Sequence, residues 1–269
     1  MAGLNQQLPQ KQWLRLLATG LMTVGIFGWV EPEAKAVDVI GRIRQIFGGD
    51  TQQGGATGRS RGGAIRDEYC IYRNAERDPI GRTLENLVAL LPTANIGQTT
   101  KAYPAFWFYV PVGQNADANH AQFDLLDGET LEPIFTRPIR FELPETPGIV
   151  GFSLPESSPP LQIGKNYIWF FSVECSEVDA SRNPVVFGEI ERVEASAELN
   201  QQLATTPDAQ DYGIYAEFGL VYEMLTSLVE HRQANAEVWQ FVLEANELSQ
   251  INGSSVEMLT PYAFPAYSD

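Results

Sequence analysis

The segment NYIWFFSVEC, Asn166 to Cys175, constrains this chain more than any other stretch. Successive side chains of an extended backbone project to opposite faces. Tyr167, Trp169, Phe171 and Val173 therefore share one face, and Ile168, Phe170, Ser172 and Glu174 share the other. The first set is apolar apart from one hydroxyl, so it requires a covering layer. The second becomes polar toward Cys175, as a partly solvated face does. The segment is read as a strand that holds a layered β structure together.

Five further strands are expected around it. AFWFYVPV (Ala105 to Val112) is a continuous aromatic and β-branched run. Asp127-Gly128 stands between two apolar segments and marks a hairpin. PGIVGFSLP (Pro147 to Pro155) is bracketed by prolines, which cannot continue a ladder. VVFGEIERVE (Val185 to Glu194) follows the aromatic strand. Short strands with turn residues between them suit an antiparallel sandwich. Residues 80–92 are read as a helix or a strand leading in. LQIGKNY places a leucine and a glycine ahead of Tyr167 at a turn, similar to the tyrosine corner of immunoglobulin-like and fibronectin-like sandwiches.

After residue 195 the period changes. Ile214, Phe218, Val221, Leu225 and Leu228 recur at steps of three and four, which predicts one helix over Asp211 to Arg232. Val238, Trp239, Val242 and Leu243 predict a second, stopped at Asn252-Gly253. The expected fold is α+β: an antiparallel immunoglobulin/fibronectin-like β-sandwich over 68–195, a C-terminal helical hairpin over 196–260 packed on it, and a tail, 261–269.

The first 36 residues read as an export signal. Lys11 and Arg15 precede a 15-residue uncharged run, Leu16 to Val30, and Ala34 and Ala36 supply a small-x-small cleavage site. The alternative is a retained anchor, for which the run is short. Cleavage after Ala36 places the chain in the periplasm or outside the cell, with no membrane span in the mature chain. Residues 37–47 are weakly amphipathic, and Gly48 to Asp67 holds seven glycines and little apolar surface. The span 37–67 is read as a flexible Gly/Arg-rich linker.

Charge narrows the partners. Val37 to Arg82 carries eight arginines against six acids, whereas Thr83 to Asp269 carries seven basic residues against 26 acids. Such a body repels nucleic acid. An envelope protein or polysaccharide is the partner class left open, and oligomeric state is not legible. Exported chains with two cysteines usually join them, so Cys70 and Cys175 are expected to pair, with free thiols as the alternative. The bond would close a loop of about 100 residues, worth about 4–5 kcal/mol less any strain.

Most catalytic constellations are missing. His120 and His231 are the only histidines, and neither has metal-ligand spacing. GGATGRSRGG lacks the lysine and preceding strand of a phosphate loop, so no cofactor is expected. Acids cluster at Asp124, Asp127, Glu129 and Glu132, and again at Glu174, Glu177 and Asp179. Solvated turns account for both clusters. A hydrolase with paired carboxylates and a calcium-stabilised structural module are the alternatives to a non-enzymatic binding or interaction module. Trp107, Tyr109 and Trp239 are candidate contact aromatics for such a module, and their competing role is core packing.

Taken in order, AFWFYVPV, the hairpin, PGIVGFSLP, LQIGKNYIWFFSVEC and GIYAEFGLVYEMLTSLVEHR resemble the cyanobacterial family called domain of unknown function 928. The signal peptide, the glycine- and arginine-rich segment and a cysteine near Cys70 fit that family too. The resemblance spans about 59–250, and Gly128 stands where the family often has another acid. The family has no assigned activity, so the resemblance implies architecture and export and transfers no catalytic residue.

Overall fold

The structure is a computed structural model that describes residues 33–48, 87–92, 96–114, 118–175, 183–251, 253 and 255–261. Within these residues the strands are β1 (Val88–Ala89), β2 (Ile96–Thr99), β3 (Ala105–Val110), β4 (His120–Asp127), β5 (Ile139–Glu142), β6 (Gly148–Ser153), β7 (Asn166–Glu174), β8 (Val185–Arg192) and β9 (Ser255–Met258). They form a four-stranded sheet, β1-β3-β6-β9, and a five-stranded sheet, β2-β8-β7-β4-β5. The helices are α1 (Glu33–Gly48), α2 (Ala197–Leu203), α3 (Asp211–Glu217), α4 (Val221–Glu230) and α5 (Ala236–Ala245).

The alternation read from NYIWFFSVEC is the alternation observed. Tyr167, Trp169, Phe171 and Val173 are buried, and the intervening residues up to Glu174 are half-buried. The covering layer is the four-stranded sheet. Phe108 of β3 stacks on Phe171 of β7 with centroids 4.0 Å apart, and Phe106 packs against Phe123 of β4 at 4.8 Å. Each such large apolar side chain contributes about 1.5–3 kcal/mol on burial. β3 is buried on both faces because α4 crosses β2 and β3, which belong to different sheets. That helix thereby ties the two sheets together.

Several expectations need correction. The sheets are mixed rather than antiparallel, since β2 runs parallel to β8 and β9 parallel to β6. β9 returns to its sheet after the helical segment, and such crossovers are what allow parallel pairing. The C-terminal region is therefore not only a helical pair. Its predicted first helix is also two, α3 and α4, broken at Gly219, where φ is +72°. A left-handed φ ends a helix and favours glycine. The hairpin strand after Asp127-Gly128 does not follow at once: the chain makes one bridge, Leu126 to Pro133, and pairs again only from Ile139. Proline cannot donate to the ladder, which explains the delay. His120, expected in a turn, is the first residue of β4.

Residues 37–48, assigned to the linker, lie in α1. Its Ile43 and Phe47 are buried, Arg44 sits 5.6 Å above the Phe241 ring of α5, and Val39 packs over Gly213 of α3. Cleavage after Ala36 would leave these docking residues in the chain. The rest of the linker, the signal run before residue 33, and the tail after residue 261 lie outside the described residues. Among the described residues, no helix is long and apolar enough to cross a membrane.

Candidate functional site

A helix repeats every 3.6 residues, so positions spaced by three and four share a face. Glu223, Thr226, Ser227, Glu230 and His231 have that spacing along α4 and its C-terminal cap. They face a cavity of about 390 Å³ closed by Asp211 and Tyr215 of α3, Thr99 at the end of β2, Lys101 and Tyr103 of the following loop, and Ser153 at the end of β6. The cavity lies where α4 crosses the ends of both sheets. Its size is that of a small-molecule site.

Glu223 forms the floor. The residue is 6% exposed, and its Oε1 accepts from Thr99 Oγ1 at 3.1 Å, Thr100 N at 2.6 Å and Thr100 Oγ1 at 2.8 Å. It lies in the first turn of α4, where the helix dipole favours a carboxylate. Oε2 has no protein partner although it is buried. The same holds for Asp211 Oδ1 and Ser227 Oγ, both on lining residues. Buried polar atoms are nearly always paired, so three orphans around one cavity form an unusual concentration.

The surrounding charges reinforce one another. Burial raises the Asp211 carboxyl pKa above the usual range, the Asp208 charge raises it further, and His231 opposes both. Burial also raises the Tyr215 phenol, and the negative charges of Asp211, Glu223 and Glu230 add to that shift. His231 Nδ1 lies 3.0 Å from the Ser227 carbonyl oxygen, which fixes the ring at the mouth of the helix. Behind the wall, Trp107 Nε1 donates to Thr226 Oγ1 at 3.1 Å, and Thr226 Oγ1 donates to the Tyr222 carbonyl at 2.8 Å.

A family model described as Domain of Unknown Function (DUF928) matches residues 61–256. The chain belongs to the DUF928 family. No curated protein and no solved structure gives a significant match. Within the DUF928 match lie β1 to β8, α2 to α5 and the whole cavity, whereas α1 precedes it and β9 runs past its end.

The residues singled out in sequence lie elsewhere in this DUF928 chain. Trp107, Tyr109 and Trp239 are 6%, 3% and 3% exposed, so none presents a contact surface, which corrects that assignment. Burial pushes the Tyr109 phenol up to about 12. Tyr167 is buried, and its hydroxyl accepts from Gln162 N at 2.9 Å, five residues upstream. Cys175 packs against the core and its N–H donates to Asn183 Oδ1, while Cys70 lies outside the described residues. Of the hairpin acids, Asp127 is committed to its own turn and to Lys165. Among the described residues, no group of three or more His, Cys, Asp or Glu is placed to hold a metal ion.

Sequence reasoning missed the cavity because it read only the apolar face of Asp211–Arg232. The signal present was a polar stripe, Glu223, Thr226, Ser227, Glu230 and His231, on a helix otherwise apolar around most of its circumference.

Proposed function

We propose that the protein is a non-enzymatic binding module of the cell envelope, exported after removal of residues 1–36, and that it takes a small polar molecule in the cavity between α3, α4 and the sheet ends. The observation that carries this reading is the trio of buried, unpartnered atoms, Asp211 Oδ1, Glu223 Oε2 and Ser227 Oγ, on residues lining one space. Leaving such groups unpaired costs about 1–3 kcal/mol each, and a bound ligand relieves the penalty. The immunoglobulin-like reading of the sandwich belongs to the same proposal. It draws support from the Phe108–Phe171 stack and the Tyr167 hydroxyl bond. Pairing of Cys70 with Cys175 belongs there too, and a peptide map without reductant tests it.

Ser153 is exposed at the rim and lines the cavity, so Ser153→Trp closes the mouth without touching the core. Wild type and variant are dialysed against a small-molecule extract of the source cells, and retained compounds are compared by mass spectrometry. Retention by wild type alone is expected. Equal retention by both, or by neither, removes the cavity as the binding site.

A second reading is a hydrolase using paired carboxylates. Asp211, with its raised pKa, and Glu223 line the same cavity. It requires turnover of a glycoside that Asp211→Asn abolishes.

A further inference from the structure

We infer that the ligand of this cavity is a small organic cation, an amine or guanidinium compound with more than one N–H donor. The inference rests on the cavity being the binding site and adds the chemistry of what binds. The lining sets four carboxylates, Asp208, Asp211, Glu223 and Glu230, against one lysine, Lys101, and one histidine, His231. A partly enclosed site with that balance raises the local concentration of cations.

The unpartnered atoms point the same way. Glu223 is more than nine-tenths buried, and its Oε2, like Asp211 Oδ1, has no donor in the protein. An ionised carboxylate only accepts hydrogen bonds, so whatever satisfies it must donate. A donor that also carries positive charge makes the stronger bond and offsets the charge left by the acids. A neutral polyol does only the first.

An inorganic cation fits less well. A calcium ion gathers six to eight oxygens within about 2.6 Å. The acids of this cavity do not converge in that way, since no group among the described residues is placed to hold a metal ion. Acids spread over the floor, α3 and the rim instead match a ligand whose donors are spread along a chain or fork. Tyr103 and Tyr215 add aromatic surface of the kind that attracts cations. The space of about 390 Å³ accommodates such a molecule.

The test is calorimetric titration of the mature chain with putrescine, agmatine, glucose and calcium chloride. Putrescine or agmatine is expected to bind with Kd below about 1 mM. Asp211→Asn and Glu230→Gln are each expected to weaken that binding about tenfold. Glu230 is exposed, so its replacement leaves the fold intact, and circular dichroism checks both variants. Binding that Ser153→Trp abolishes locates the ligand in the cavity. Glucose binding without amine binding overturns the cation inference and leaves the cavity reading standing. Tighter binding of calcium than of either amine also overturns it. Amine binding unchanged in all three variants, or no binding by any probe, overturns the inference together with the cavity assignment.

Discussion

Trp169 Nε1 donates to the Tyr222 hydroxyl at 2.8 Å, and that hydroxyl donates in turn to the Glu189 carbonyl at 3.0 Å. One oxygen thus joins β7, α4 and β8. Tyr222 is buried, which raises its phenol pKa far above the ordinary value and keeps it a donor at any accessible pH. Gly97 of β2 lies directly beneath the ring: a Cβ there would stand 2.7 Å from Tyr222 Cε2. Tyr222→Phe keeps the ring and orphans a buried indole N–H. A loss of about 1–3 kcal/mol in urea unfolding is expected. An unchanged midpoint would show that the bond does not matter.

Trp107 lies over Gly151 across the β3–β6 ladder, and a Cβ on Gly151 would stand 2.5 Å from the indole Cε3. Gly151→Ala is expected to lose about 1–3 kcal/mol by overpacking. The clash is with the ring itself, so the loss should shrink in a Trp107→Phe background. Additive losses in the double mutant would place the cause elsewhere.

Ile43 of α1 is fully buried against the C-terminal helices. Ile43→Ala should cost about 2–5 kcal/mol if α1 is an integral part of the fold. A melting curve indistinguishable from wild type would return residues 37–48 to the status of a linker.

The Asp127 carboxyl is held down to about 2 by the N–H groups of Thr130 and Glu129 and by Lys165. Its folded pKa lies below the unfolded one, so the ionised turn is more stable above the unfolded value near 3.8. That stability is lost as pH falls from about 4 toward 2. Asp127→Asn should flatten the acid limb of a stability-versus-pH curve. Identical acid limbs for both proteins would refute the assignment.

Asp211 has the opposite sign. Burial raises its folded pKa above the unfolded value, so the folded state holds the proton more tightly and stability falls as pH rises through that interval. At neutral pH the charged form is a net cost. Asp211→Asn should therefore melt higher than wild type at pH 7, with the gain vanishing in acid. A site kept at the expense of stability is what a binding role requires. A lower melting point for Asp211→Asn at pH 7 would mean that the carboxylate is structural.

The six main strands were legible because their side chains carry the period of the sheet. Tyr167, Trp169, Phe171 and Val173 needed only alternation to assign their face. β1 was read only as a helix or a strand within 80–92, and β2 and β9 were not legible, being four residues long with polar members such as Gln98 and Glu257. Strands that short are held by their neighbours and leave little pattern. The helix break at Gly219 was equally hidden, since the apolar steps of three and four continue across it from Ile214 to Leu228.

Local chemistry alone determined the strand faces, the helical period and the acidic balance of the body, because each depends on neighbours along the chain. Whether a polar helical stripe meets water or a closed space depends on what crosses it. Only the docking of α4 over β2 and β3 put Glu223 beneath Thr99 and Thr100 and turned Ser227 and Asp211 inward. Those partners are more than 100 residues apart in sequence for the Glu223 bonds, beyond the reach of any periodicity.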